Sequence, residues 1–110
     1  MIHYVENPDV TVEDVLPLYE AVGWTNYTTK PEMLKAAFEN SLHVLAAFNE
    51  EGILVGVLRA VGDGASILFI QDILVTPEYQ HQGIGTKLLQ QTLEKYKNVY
   101  QIQLTTDNSM

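Results

Sequence analysis

The run Gln80-His81-Gln82-Gly83-Ile84-Gly85-Thr86-Lys87 holds two glycines one residue apart. It follows a strand-like apolar segment ending at Val75 and opens a helical stripe of Ile84, Leu88, Leu89, Thr92, Leu93 and Tyr96. The first amides of a helix have no partners within it, and the aligned peptide dipoles place partial positive charge there. Glycine lets a ligand approach the backbone without a Cβ in the way. Residues 79–93 contain no acid, in a chain that has fourteen, and they include His81 and Lys87. The chemistry this pattern suits is the holding of an anion. A shape-only alternative stands beside it, in which the glycines merely form a tight strand-to-helix turn. A P-loop requires Gly-Lys-Ser/Thr at its end, whereas the order here is Gly85-Thr86-Lys87. A dinucleotide fingerprint requires a third glycine and an early βαβ unit, and both are missing.

The elements that must position this run read as follows. Ile2 to Glu6 suits a short strand, and Thr11 with Asp14 suits the start of a helix carrying Val12, Val15, Leu16, Tyr19 and Val22. Pro17 objects to that helix and predicts either a kink or a start near Leu16. Residues 23–30 form a polar loop bearing Trp24 and Tyr27, after which Pro31 opens a helix with Leu34, Ala37 and Phe38 on one side. Residues 42–49 and 53–61 make an antiparallel hairpin about Glu50-Glu51-Gly52, and Asp63-Gly64 is a second hairpin turn. Residues 66–75 are nearly continuous in apolar residues and read as a central strand covered on both faces. A helix over 83–97 and a last strand over 99–105 complete an α+β domain with a largely antiparallel sheet.

Composition removes several classes. The chain has 110 residues, which suits a single domain over 1–110, and 46% of them are hydrophobic, enough for a packed core. Six basic residues against fourteen acidic give a formal charge of −8, which argues against nucleic-acid binding and mildly favours a cationic partner. With no cysteine, disulfides, thiolate metal sites and cysteine nucleophiles are excluded, and no metal is expected. No signal peptide or membrane-spanning run is visible, so a cytoplasmic location is the default expectation.

Gln80-His81-Gln82-Gly83-Ile84-Gly85 matches a Gln/Arg-x-x-Gly-x-Gly/Ala signature, preceded at the right spacing by a strand and proline loop and followed by a helix. On these residues, and on element order from residue 1 to about 106, the sequence resembles the GNAT superfamily of acyl-CoA-dependent N-acetyltransferases. The resemblance implies that backbone amides of Gln82, Gly83, Ile84, Gly85, Thr86 and Lys87 hold the pyrophosphate of acetyl-CoA, with Gln80 and His81 in the same loop. It implies that the backbone at Leu74 and Val75 pairs with the pantetheine arm, and that strands 66–75 and 99–105 splay into a V around the thioester. An amide near Val75 would steady the oxyanion while an uncharged primary amine of a small molecule or protein attacks directly.

An aliphatic amine must first lose a proton. Asp72 is the carboxylate best placed by sequence, on one face with Ile70 and Leu74 by simple alternation, which a bulge of the kind common in this strand of the family would undo; the alternative is a structural aspartate. Trp24 and Tyr27 border the acceptor site in family members, so they either shape an amine pocket or cap the core. His3 and His43 read as structural. Arg59, the sole arginine, faces either CoA or a carboxylate, and Asp63 is explained by its turn.

The chain departs from the family at its end. Family members continue into a helix with an Asn that touches CoA and a Tyr that protonates the thiolate. Asn108 matches the first, and no later Tyr matches the second. Either the acetyltransferase is truncated, or a partner chain covers the open edge of the fifth strand, which makes a homodimer the sharper expectation. The rival to an enzyme is an acyl-CoA-binding sensor or assembly module with impaired catalysis.

Overall fold

The computed structural model describes residues 1–104. Its elements run β1 (His3–Glu6), α1 (Val12–Ala21), α2 (Thr25–Thr28), α3 (Pro31–Glu39), β2 (His43–Phe48), β3 (Leu54–Gly62), β4 (Ile67–Val75), α4 (Ile84–Lys95) and β5 (Gln101–Leu104). The five strands form one sheet in sequence order, antiparallel from β1 to β4, with β5 parallel to β4. The parallel pair requires a crossover, and α4 supplies it.

Two apolar faces sandwich the sheet between helices. Beneath α4 lie Leu45, Leu58, Leu68, Ile70, Ile73 and Val75 with Ile84 and Leu88. On the other side Val15, Leu18, Tyr19 and Leu34 pack on Val44, Val57 and Leu74. Strands covered on both sides explain the unbroken apolar runs in β2, β3 and β4. β3 is the middle strand, and β4 lies between it and the short edge strand β5.

Three expectations need correcting. α1 does not start near Leu16. It begins at Val12 after Thr11, whose amide donates to Asp14 Oδ2 at 2.9 Å, and continues through Pro17 to Ala21. Burial of Val15, Leu18 and Tyr19 outweighs the one backbone bond that proline cannot make. The segment after Gly23 is not wholly loop, because Thr25–Thr28 form one helical turn that brings Trp24 and Tyr27 against Tyr19.

The third correction concerns the alternation along β4. The register with β3 runs Leu58–Ile73, Arg59–Asp72 and then Ala60–Ile70, so Gln71 is an extra residue in a β-bulge. Ile70 and Ile73 therefore share the α4 face, whereas Asp72 and Leu74 turn to the α1–α3 face. Asp72 does not lie on one face with Ile70.

α4 comes close to the sheet over Gly56. A Cβ there would sit 3.3 Å from Ile84 Cγ2, 3.3 Å from the Leu74 carbonyl oxygen and 3.5 Å from Leu88 Cδ1. Replacing Gly56 by Val must push the first turns of α4 outward. Urea unfolding of Gly56→Val is expected to show a loss of about 1–3 kcal/mol with an unchanged m-value.

Candidate active site

The loop from β4 to α4 is short and tightly curled. Pro77–Tyr79 make a 3-10 turn, His81 has φ of 65° and Gly83 has φ of 87°. Left-handed residues of this kind gather successive N–H groups into an anion-binding concavity. Gly83 caps α4 in the left-handed conformation and gives no side-chain cap. Lys87 N–H donates to the Gly83 carbonyl at 3.0 Å, so its amide is spent within the helix. The amides of Gln82, Gly83, Ile84, Gly85 and Thr86 donate to no described residue. Of the amides expected from Gln82 to Lys87, the first five are thus left without a described partner.

Side chains frame that concavity without filling it. Gln80 Nε2 donates to the Val75 carbonyl at 2.9 Å and ties the loop to the end of β4. Gln82 Nε2 reaches back to the Glu78 carbonyl at 3.3 Å. Ile84 and Gly85 are buried against the sheet, while His81, Gln82, Gly83, Thr86 and Lys87 are exposed. The first turn of α4 carries no acid. Lys87 forms no ion pair with a described residue, which leaves its ammonium available beside the amides. Five free donors, one cation and a helix dipole fit the phosphates of an acyl-CoA, and the first turn of α4 brings no acid to repel them.

From this cradle an open strand edge leads inward. Among the described residues β5 pairs with Ile67 to Ile70, so Gln71 to Val75 have β3 on one side and no described strand on the other. Five residues at about 3.3 Å each leave about 16 Å of edge. Thr76 N–H bonds the Val55 carbonyl, and backbone direction alternates along an antiparallel ladder. Leu74 accordingly turns its amide and carbonyl toward β3, in keeping with its oxygen lying 3.3 Å from a Cβ position on Gly56. Ile73 and Val75 turn theirs to the open edge. Of the two residues expected as backbone partners, Val75 faces the open edge and Leu74 faces β3, while Ile73 faces the open edge beside Val75.

At the far end of the edge Trp24, Thr25, Asn26 and Tyr27 meet Gln71 and Asp72 around a pocket of about 330 Å³. Trp24 and Tyr27 stack with ring centroids 6.1 Å apart and planes at 29°. Both rings also pack edge-on against Tyr19, so they wall the pocket and cover the core together.

Asp72 is held from three sides. Arg59 Nε donates to Oδ2 at 2.8 Å, Tyr19 Oη donates to Oδ2 at 2.8 Å and Tyr27 Oη donates to Oδ1 at 3.2 Å. Arg59 and Asp72 are both buried. Burial, reinforced by the Asp72 carboxylate, pushes the Tyr19 hydroxyl well above the ordinary tyrosine range and raises Tyr27 in the same direction. Burial opposes the charge on Arg59, but Asp72 outweighs it and holds the guanidinium above its usual value. A carboxylate with both oxygens engaged fits the structural alternative for Asp72.

The remaining singled-out residues fall away from this centre. Asp63 accepts from the amides of Ala65, Ser66 and Ile67 and from the Ser66 hydroxyl, whose bond leads the causes holding its carboxyl far below the usual range. His3 lies on the edge strand β1. His43 is buried under α4, with Nε2 3.4 Å from Thr92 Oγ1, the Tyr96 ring edge-on, and Nδ1 without a partner. Asn108 lies outside the described residues. Among those residues no group of three acids and histidines could hold a metal ion, and no helix is long and apolar enough to cross a membrane.

Three contributors escaped the sequence. Tyr19 reads as one more apolar stripe position, and its hydroxyl partner is 53 residues away. Gln71 and Ile73 owe their places to the bulge, which leaves no trace in hydrophobic periodicity.

The fold and this open strand beside a glycine-lined helix start define a domain of the acyltransferase class. Residues 10–109 match the Acetyltransferase (GNAT) family model, and the chain belongs to that family. It is 30% identical over 106 residues to an uncharacterized N-acetyltransferase of Gracilaria tenuistipitata var. liui, covering 92% of this chain and 57% of that one. It is 35% identical over 95 residues to a histone acetyltransferase of Glycine max, covering 77% of this chain and 40% of the relative. The chain therefore spans about half the length of these relatives. A GNAT-family acetyltransferase structure from Streptococcus pneumoniae TIGR4 superimposes with a TM-score of 0.85 at 45% identity, over 98% of this chain and 77% of that one.

Two measurements check the electrostatics. Arg59→Met leaves the Asp72 carboxylate buried without its cation, and chemical unfolding is expected to lose about 3–5 kcal/mol. Burial lowers the His43 pKa, so the unfolded chain binds its proton more readily than the native one. That contribution is complete above about pH 6.5 and is lost as pH falls through the lowered native value. The urea midpoint should drop between pH 7.5 and pH 5.5, and His43→Phe should remove that part of the slope.

Proposed function

We propose that this acetyltransferase domain uses acetyl-CoA and transfers the acetyl group to a primary amine of a small molecule or protein by direct attack. The observation that carries the reading is the alignment of the five free amides of Gln82 to Thr86 with the open edge of β4 and the pocket at its far end. Acetyl-CoA supplies an activated thioester carbonyl when bound. The amides at the start of α4, with Lys87, bind its pyrophosphate. Val75, whose carbonyl is held by Gln80, offers its amide to the pantetheine arm. The Ile73 amide, two residues from Gln71 and the pocket where Val75 is four residues away, faces the developing oxyanion. The amine lone pair forms the new C–N bond, the C–S bond breaks to the CoA thiolate, and the proton lost from nitrogen passes to water.

Asp72 serves in this reading to fix Tyr27 and α1 beside the pocket rather than to take that proton. Trp24 and Tyr27 form the acceptor's wall. A net charge of −8 favours an acceptor that arrives as a cation.

Calorimetric titration with CoA and with acetyl-CoA tests the cradle. Thr86 is exposed in the first turn of α4, where an acidic side chain favours the helix but repels a bound phosphate. Thr86→Glu should weaken CoA binding by about tenfold or more, about 1.4 kcal/mol, without lowering the thermal midpoint. No binding to the parent at millimolar ligand, or equal affinity in Thr86→Glu, would overturn the assignment. Binding with no thiol release across an amine panel would point instead to a sensor.

A further inference from the structure

Gln71 is the residue that the two packed faces of β4 leave over. Ile70 enters the core beneath α4, and Asp72 is bonded into the α1–α3 face. The β3 register passes over Gln71, and the pairing with β5 among the described residues reaches only Ile70, one residue earlier. Gln71 therefore stands just past the described β4–β5 pairing, at the head of the edge that no described strand covers. Bulges re-aim a side chain in this way. The half-buried Gln71 side chain lines the aromatic pocket and forms no hydrogen bond with any described residue.

The other polar groups there are already committed or face solvent. Both oxygens of Asp72 are occupied, and Arg59 balances its charge. The Tyr27 hydroxyl is given to Asp72. Thr25 and Asn26 are exposed at the rim. A partly buried carboxamide without a partner costs free energy unless a ligand or water meets it.

Resting on the acetyl-transfer reading above, the geometry points to Gln71 as the positioning residue for the acceptor amine. Its Oε1 accepts a hydrogen bond from an N–H of the uncharged amine and turns the nitrogen lone pair toward the open edge of β4. A carboxamide suits this task better than a carboxylate. It orients the neutral amine without the full negative charge that would stabilise the ammonium form, which has no lone pair to attack with. Trp24 and Tyr27 then hold the acceptor's body, so orientation at nitrogen and grip on the remainder come from different residues.

The test follows thiol release from acetyl-CoA with four amines, phenethylamine, spermidine, glucosamine and a peptide containing one lysine, with CoA affinity measured in parallel. For the amine that the parent uses best, Gln71→Leu should lower kcat/KM by about tenfold or more. The KM for acetyl-CoA, the CoA affinity and the thermal midpoint should stay unchanged. Gln71→Glu should shift the rise of rate with pH to higher pH, because the new carboxylate holds the ammonium. That shift is a response a merely structural glutamine would not give. A kcat/KM within about twofold of the parent in Gln71→Leu overturns the inference. So does a loss matched by equal losses in CoA affinity and thermal midpoint. A parent that binds CoA but acetylates none of the four amines overturns this role for Gln71 and leaves the cradle standing. A parent that binds no CoA overturns the acetyl-transfer reading itself.

Discussion

Arg59 and Asp72, paired at 2.8 Å and buried between the sheet and the helices α1–α3, hold the turning point of the molecule in place. Arg59 is the sole arginine, and neither charge could remain in this interior without the other. Their pairing across β3 and β4 locates the bulge at Gln71, because Asp72 can face Arg59 only if β4 changes face after Ile70. Tyr19 and Tyr27 complete the carboxylate's hydrogen bonds, so the same pair fixes α1 and α2 beside β4. One ion pair thereby links the strand's change of face, the aromatic wall and the pocket between them.

The other half of the site depends on close approach rather than charge. Gly56 lets Ile84 and Leu88 rest on the sheet, which brings the first turn of α4 to the end of β4. Gln80 secures the loop to Val75, and the left-handed backbone at His81 and Gly83 directs the chain into the helix. The amides left without partners are a consequence of how any helix begins. Their neighbours make them useful, since this stretch lacks the acids that are plentiful elsewhere in the chain.

Much of this was legible in the residues themselves. Gly83 and Gly85 ahead of the Ile84–Leu88 stripe announced the helix start, and the family signature around them carried the fold, which the relatives and the superimposed structure bear out. Asp63-Gly64 announced its hairpin because the aspartate's bonds to Ala65, Ser66 and Ile67 are local. What stayed hidden was set by contacts distant in sequence. Simple alternation placed Asp72 beside Ile70, and only the register with β3 exposes the extra residue between them. Pro17 argued for a kink or a start near Leu16 because local propensity cannot weigh the burial of Val15, Leu18 and Tyr19. That Leu74 faces β3 and Ile73 the open edge was hidden too, because backbone direction along a ladder depends on which residue faces which across the sheet.

On the proposed reading, the amides opening α4 and the edge of β4 that no described strand covers form one continuous binding track. Backbone amide chemical shifts of the ¹⁵N-labelled protein, followed as CoA is added, test that continuity. The largest changes are expected at Gln82, Gly83, Ile84, Gly85 and Thr86, continuing to Val75 and Ile73, with β1 and α3 little affected. Changes confined to other surfaces, or a cradle that responds while Ile73 and Val75 do not, would contradict the continuous track.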